Sequence, residues 1–406
     1  MPSAARASQV RRSNLALLVD LVRRHGPLSR SAIVTATGLT RSAVAGLLGE
    51  LTELHLVVES PPAPDGSPGR PSPVVSIDSQ HVGALAIEVM GDEIAVSIVG
   101  LDGTIVTSMR HSRPRRRLSV RHTITDVAAL VQRVDDQRRS AGRSGTPRHL
   151  LGIGVSVPGV IRGADNIVVV APNLGWVEAD LARPLAETLG NGLPIRIGND
   201  ADLGARAESL FGAGVGSDLL LFVSGEVGVG GGVVIDGVPL VGHSGFAGEV
   251  GHLPVNPDGR QCRCGAIGCW ETEVGEQALL RRAGLAEDGG TQAVERFLAL
   301  ADEGDPLAIA ALNEEAKWLA VGLTGLINVL DPDRVVLAGL LGRVLPYVRP
   351  QLDRELALRR FHDAQREIPI LAASLGAAAT TVGAAELAFS ALVDDPARVM
   401  ATVRGA

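Results

Sequence analysis

Lysine is almost absent: Lys317 is the only one in 406 residues, and there is no Walker A lysine motif. Aromatic side chains make up 2% of the chain, whereas glycine reaches 49, which points to many tight turns and close backbone approaches. Cysteine is scarce too. All three cysteines fall within eight positions, and an odd, clustered set excludes a secreted disulfide framework. No stretch reads as a transmembrane helix, because the most apolar run, 219–234, is broken by Glu226 and several glycines and flanked by Asp218 and Asp236. No apolar segment precedes Leu15, so no signal peptide is expected, and the chain reads as cytoplasmic with no membrane partner. A formal charge of −7 excludes a uniformly basic nucleic-acid coat but not a local DNA-binding module.

What is present suits a large buried core: 46% hydrophobic residues, 20% charged, and enough length for two or three domains. Residues 1–76 carry eight arginines against five acids, a net of +3 that leaves −10 for the remainder. The periodicity predicts a helix over Asn14–His25 with Asn14 as its cap, a second over Ser29–Thr37 closed by Gly38, and a third capped by Thr40. Strands at 56–58 and 74–77 flank the proline- and glycine-rich segment 60–73. Three helices followed by a two-stranded wing give the order of a winged helix-turn-helix domain over 1–76. In that arrangement Thr40, Arg41 and Ser42 begin the helix that enters the major groove, Arg70 offers a wing arginine to the minor groove, and Arg11, Arg12, Arg30 and Arg41 supply phosphate contacts. The competing reading is a protein-docking module with ordinary surface arginines.

After residue 76 the texture changes. Strands at 83–89, 94–99 and 105–108, a helix over 123–138 and a strand at 151–157 have a counterpart from Leu219 onward: 219–223, 230–235, a short strand after Asp236-Gly237, a helix over 312–329 and a strand at 334–338. This weak repeat predicts two related α/β lobes with a cleft between them, at 77–200 and 201–406, the last helices returning to the first lobe. The polar stretch 118–144 and the run Arg113–Arg117 read as solvated surface. The run Gly228–Gly232 lies between two strands with no following helix, which rejects a dinucleotide-binding loop.

His252, Cys262, Cys264 and Cys269 give the spacing H-x9-C-x-C-x4-C. Tetrahedral sulfur and nitrogen ligands of this kind hold zinc, and a saturated Cys3His set makes the ion structural rather than catalytic. Gly265 and Gly268 permit the reversals that bring three sulfurs onto one ion.

The stretch Gly245–His252, the cysteine cluster and Trp270-Glu271 resemble the signature of the ROK family of repressors, open reading frames and sugar kinases. The resemblance extends to Val157-Pro158-Gly159, Ala171–Trp176, Gly198–Ala201, Gly228–Gly232 and Ile327–Pro332, roughly residues 80–390 in all. It implies the actin-like, sugar-kinase fold of two ribonuclease-H-like lobes closing on a cleft. It also implies a sugar site at Asn199, Asp200, Glu249, His252 and Glu271, with Asn173 and Gly159 contributing from the other lobe, and Asp200 in the position of the kinase general base. Short, rigid acceptors and donors of these types are what sugar hydroxyls need, and a metal-pinned loop from His252 to Cys269 fixes Glu249 relative to Glu271.

The nucleotide side departs from the family pattern. Glu88–Glu93 replaces the acid, glycine pair, threonine and lysine of the kinases, Glu226-Val227-Gly228 replaces a glycine-threonine-glycine turn, and Leu337–Leu340 keeps one glycine of a pair. Met90 fills space that a phosphate needs. At about 4 Å, each carboxylate set against a triphosphate costs on the order of 4 kcal/mol before screening. The sequence therefore predicts a sugar-responsive transcriptional regulator of the repressor type that binds operator DNA and a sugar or sugar phosphate as a homodimer or homotetramer and is not an enzyme. The alternative is an ATP-dependent sugar kinase with Asp200 as base and an appended DNA-binding domain.

Overall fold

The computed structural model describes residues 2–61, 73–113, 119–140, 147–226, 228–287, 289–359 and 367–405. The chain opens with α1 (Pro2–His25), β1 (Leu28–Ser29), α2 (Arg30–Thr37), α3 (Arg41–Glu53), β2 (Val57–Ser60) and β3 (Val74–Ile77). Helix α1 begins twelve residues before the expected Asn14 cap: residues 2–13 contain no glycine and no internal proline to stop it, and Pro2 suits a first turn. The periodic part, Leu15, Leu18, Val19 and Val22, is only its buried face. Ser29 caps α2 by accepting from the Ala32 amide at 3.1 Å, and Gly38 closes it at φ 66°. Thr40 caps α3 through the Ala43 amide at 3.3 Å. The three strands pair antiparallel in the order β1-β3-β2. Residues 62–72, with the wing arginine Arg70, lie outside the described residues.

The next part contains β4 (Val82–Val89), β5 (Glu93–Gly100), β6 (Ile105–Ser112), α4 (Val120–Ser140), β7 (His149–Val157), β8 (Val160–Arg162), β9 (Ile167–Ala171), β10 (Trp176–Asp180), α5 (Ala182–Leu189), β11 (Ile195–Asn199) and α6 (Asp200–Phe211). The last part contains β12 (Leu219–Gly225), β13 (Val229–Ile235), β14 (Val238–Pro239), α7 (Trp270–Glu273), α8 (Glu276–Arg282), α9 (Gly290–Asp302), α10 (Pro306–Leu330), β15 (Arg334–Ala338), α11 (Gly339–Arg359), β16 (Ile370–Ala372), α12 (Ala379–Asp394) and α13 (Pro396–Gly405).

Two five-stranded sheets share one topology. In β11-β7-β4-β5-β6, β4, β5 and β6 run as an antiparallel meander and β7 and β11 add in parallel; in β14-β13-β12-β15-β16, β12, β13 and β14 form the meander and β15 and β16 add in parallel. Runs of continuously buried residues in β4, β5 and β7 fit strands covered on both faces. The small antiparallel sheet β10-β9-β8 had no counterpart in the sequence reading, because its strands of three to five residues lack a readable period. Helix α4 is not simply solvated: Ile124, Val127, Leu130, Val131 and Val134 pack on the first sheet.

The last helices return to the first sheet. Helix α12 packs against α6, β4 and β7. Among the described residues one helix, Gly376–Asp394, is long and apolar enough to cross a membrane, and half of that window is buried inside the fold. One apolar cluster joins Leu18, Val22, Ile33, Leu48 and Leu51 to Val82, Val99 and Leu101, and to Ala384, Phe389 and Met400. The N-terminal helices therefore share a core with β4, β5, α12 and α13.

Candidate functional site

The loop after β14 reaches the short helical turn Val250–His252 and then folds back through the cysteines to α7. Gly268 takes φ 70°, and a Cβ there would fall 1.6 Å from the Asn256 carbonyl oxygen; Gly265 takes φ 97°. Only glycine tolerates these two reversals. They bring His252, Cys262, Cys264 and Cys269 together, with one ligand atom from each all within 4.8 Å of one another. Cys264 Sγ lies 3.6 Å from Cys269 Sγ, and Cys262 Sγ 3.7 Å from His252 Nδ1. Two sulfurs held at 2.3 Å by one tetrahedral ion stand about 3.8 Å apart, so the cluster can hold a metal with little rearrangement. The loop is anchored from behind, where Asn256 donates to Glu273 at 2.7 Å and Arg282 bridges Glu273 and the buried Glu315 of α10.

His252 faces two ways. Its Nδ1 points to the thiols, and its Nε2 lies 3.8 Å from Glu249 Oε2. Glu271 accepts from Cys262 Sγ at 2.8 Å through Oε1, while a Cβ on Gly228 would come within 2.7 Å of its other oxygen. Glu249, Glu271 and His252 therefore line one wall, beside Asp200 at the start of α6. Burial, reinforced by the Glu249 and Glu88 carboxylates, raises Asp200 to about 6 against the pull of its hydrogen bond from the Ala201 amide. Glu249 is also raised, by burial and then by Glu271, with His252 opposing.

Asp202 was missed in the sequence reading. Burial, followed by Glu249 and Asp200, raises it to about 7, and its buried Oδ1 has no hydrogen-bond partner. The signal was there in Asp200-Ala201-Asp202, two acids in the first turn of a helix whose Ala201, Leu203, Ala205 and Ala207 are apolar and buried.

Asn199 is turned to other work. Its Oδ1 accepts from the Ala201 and Asp202 amides at 2.8 and 3.1 Å, and its Nδ2 donates to the Gly159 carbonyl at 2.9 Å. It caps α6 and ties that cap to the turn between β7 and β8. Gly159 is required there, since a Cβ would meet the Val170 carbonyl oxygen at 2.3 Å. Asn173 is exposed on the β9–β10 turn, where its Oδ1 accepts from Arg263 Nη1 at 3.4 Å across the two lobes. The glycines of β13 serve packing: Cβ atoms on Gly230, Gly231 and Gly232 would come within 3.0, 2.5 and 2.6 Å of Ala201, Val250 and Ala205.

Where the sequence departs from the kinase pattern, the β4–β5 turn is closed by the Met90 amide donating to the Glu93 carbonyl at 2.9 Å. Arg113, expected on the surface, is buried and donates to the Met90 carbonyl at 2.5 Å and to Thr123 Oγ1 at 3.1 Å; residues 114–118 lie outside the described residues. Glu88 is buried, hydrogen-bonded by the Thr381 hydroxyl, and raised by burial. Glu226, raised by burial and Glu276, folds against Gly339: a Cβ there would lie 2.4 Å from its Oε1. Val227 lies outside the described residues.

At the N-terminal end, Arg41 and Ser42 are exposed at the start of α3, and Thr40 Oγ1 is 3.2 Å from Ser42 Oγ. The other expected phosphate contacts are engaged within the protein. Arg30 binds both oxygens of Glu59 at 2.7 and 2.6 Å, Arg11 pairs with Glu50 at 2.6 Å, and Arg12 lies 3.6 Å from Asp395.

The ROK family model matches residues 84–391. The chain belongs to the ROK family. A xylose repressor of Bacillus subtilis (strain 168) is 29% identical over 95% of this chain and 97% of its own length. A glucokinase of Streptomyces coelicolor is 28% identical over 75% of this chain and 96% of its own. Among solved structures, a ROK family transcriptional regulator described as a homologue of the E. coli MLC protein superposes with a TM-score of 0.77 at 22% identity, covering 97% of this chain and 98% of that one. The paired sheets are thus the ROK fold, as the motif resemblance implied.

Proposed function

We propose that this ROK protein is a sugar-responsive transcriptional repressor that acts in the cytoplasm. The observation that carries the reading is the N-terminal unit itself: two capped helices joined at Gly38–Thr40, with a three-stranded sheet beside them, share one core with the ROK fold. The relatives differ in coverage by about the share of the chain that this unit takes. The xylose repressor matches 95% of the chain, whereas the glucokinase, nearly complete itself, matches only 75%. Arg41 and Ser42, and the wing arginine Arg70, are the proposed DNA contacts, with arginine–phosphate contacts supplying affinity that falls steeply with salt. Two copies, as a homodimer or within a homotetramer, would read paired half-sites.

The effector is a sugar or sugar phosphate held by Asp200, Glu249, His252 and Glu271, with Asn199 positioning the α6 cap rather than spending its amide on the ligand. The metal is zinc, since three thiolates and an imidazole in a closed tetrahedral set suit it and leave no open coordination position. When bound, the ion supplies rigidity: it fixes His252 and the Cys262–Cys269 loop, and with them the Glu249–Glu271 separation.

The second reading, an ATP-dependent sugar kinase, is favoured by one observation, the raised Asp200 at the general-base position. Against it stand the departures from the kinase pattern that the sequence carries, Met90, Asp92 and Glu93 in the β4–β5 turn and Glu226 in place of a glycine, which take up space and add carboxylates where the resemblance puts a triphosphate. Operator binding measured by anisotropy with and without D-xylose or D-glucose tests the reading. Sugar-dependent release supports it; turnover of hexose with ATP at ordinary kinase rates, without DNA binding, replaces it with the kinase.

A further inference from the structure

Helix α6 begins at the carboxylate cleft and ends against the N-terminal helices. Asp200 opens it, Arg206 follows about 9 Å along the axis, and Phe211 closes it beside Arg23 of α1. Arg23 is 4% exposed and Glu386 of α12 is 1% exposed. Arg23 Nη2 pairs with Glu386 Oε1, and Arg23 Nε donates to the Leu101 carbonyl at 2.9 Å. Its guanidinium carbon lies 5.9 and 5.8 Å from the ring centres of Phe211 and Phe389.

This ion pair is half-satisfied. Glu386 Oε2 is buried with no hydrogen-bond partner and stands 4.0 Å from Arg206 Nη2, while Arg206 Nε is likewise buried and unpartnered. A buried carboxylate oxygen without a donor is costly, and a guanidinium donor bonds at about 2.7–2.9 Å. An advance of about an ångström at the Arg206 tip would complete the bond. One carboxylate thus stands between two guanidiniums, Arg206 on the helix that starts in the cleft and Arg23 on the helix that starts the DNA-reading unit.

We infer that Arg206 and Glu386 are positioning residues that relay effector binding at the Asp200 end of α6 to Arg23, and through it set the pose of α1–α3. The inference rests on the sugar-sensor reading. When a ligand draws on Asp200, Arg206 moves onto Glu386 Oε2, the carboxylate turns toward α6, and its hold on Arg23 slackens. A partly open pocket of about 480 Å³ beside Arg23, lined by Val22, Phe211, Leu375 and Val382 among others, leaves α1 free of close packing on that side.

The test uses the full-length protein, a duplex selected by that protein from a random-sequence pool, and D-xylose or D-glucose, whichever shifts the wild type. The readout is the ratio of operator Kd with sugar to Kd without. Arg206→Met is expected to bring the ratio within twofold of one, with sugar affinity by calorimetry and sugar-free operator affinity changed less than threefold. Arg206→Lys should keep part of the response, and Glu386→Gln should lower it. A merely structural role would lower the melting temperature and leave the ratio alone. An undiminished ratio in Arg206→Met overturns the relay while the sensor reading stands; a wild type whose DNA affinity no sugar alters removes the sensor reading and the relay together.

Discussion

Asp202→Asn should stabilise the ligand-free protein, and only above a definite pH. The Asp202 carboxyl is buried beside Glu249 and Asp200 and rises from 3.8 to about 7. An acid raised on folding retains its proton longer in the folded state, so its contribution is fully present below about pH 4, lost as pH rises toward 7, and constant beyond. Three units at 1.36 kcal/mol each set a ceiling of about 4 kcal/mol. Since the amide must still find partners in the same space, about 2–4 kcal/mol is expected at pH 8. For a chain of this length, with an unfolding entropy near 2.1 cal/mol/K per residue, that corresponds to about 2–5 °C in Tm. Thermal unfolding of wild type and variant at pH 4, 6 and 8 measures it. A difference that is the same at pH 4 and pH 8, or a variant less stable at pH 8, would refute the account of Asp202 as a strained, ionised carboxylate.

Arg41→Ala should weaken operator binding by about 1–3 kcal/mol if the side chain reads a base; because Arg41 is exposed, Tm should stay within a degree, and unchanged affinity would move the DNA interface off α3. Cys264→Ser should lower bound zinc, measured by elemental analysis, from one ion per chain to near none and weaken sugar binding with it; a zinc-free wild type sinks the metal assignment. Glu249→Gln should abolish the sugar response and leave sugar-free DNA affinity intact, and a normal response would place the effector elsewhere.

The sequence was most legible where chemistry and spacing coincide. His252 and the cysteines could be read together because few folds need four such ligands within eighteen positions, and Gly265 and Gly268 announced their own reversals. The repeated sheets were visible because their buried strands are continuous apolar runs. Three features were not. The true start of α1 was hidden because residues 2–13 carry no apolar period, though nothing there breaks a helix. The inward turn of Asn199 depends on Gly159, forty residues away. Arg30 and Arg11 look like phosphate contacts until β2 and α3 place Glu59 and Glu50 beside them. Such pairings belong to the tertiary structure, and no local pattern encodes them.

The shared core explains why a small event in a cleft can matter to DNA at all. Were α1–α3 tethered by a flexible segment, lobe motion would be lost in the linker, since a flexible chain transmits no torque. Here Leu18 and Val22 pack in the same apolar cluster as Val99, Leu101 and Phe389, and close-packed interiors pass displacement on instead of absorbing it. The polar groups inside that cluster are then the places where two packings can differ. A purely apolar junction has one best fit, whereas a buried carboxylate with one satisfied and one unsatisfied oxygen has two competing donors to choose between. A ligand can shift that choice only by its differential affinity for the two arrangements. In the proposed sensor, Asp200 and Asp202, whose ionisation burial and each other oppose at the cleft end of the same helix, would give a sugar such a preference, because its hydroxyls can donate to carboxylates that otherwise repel one another.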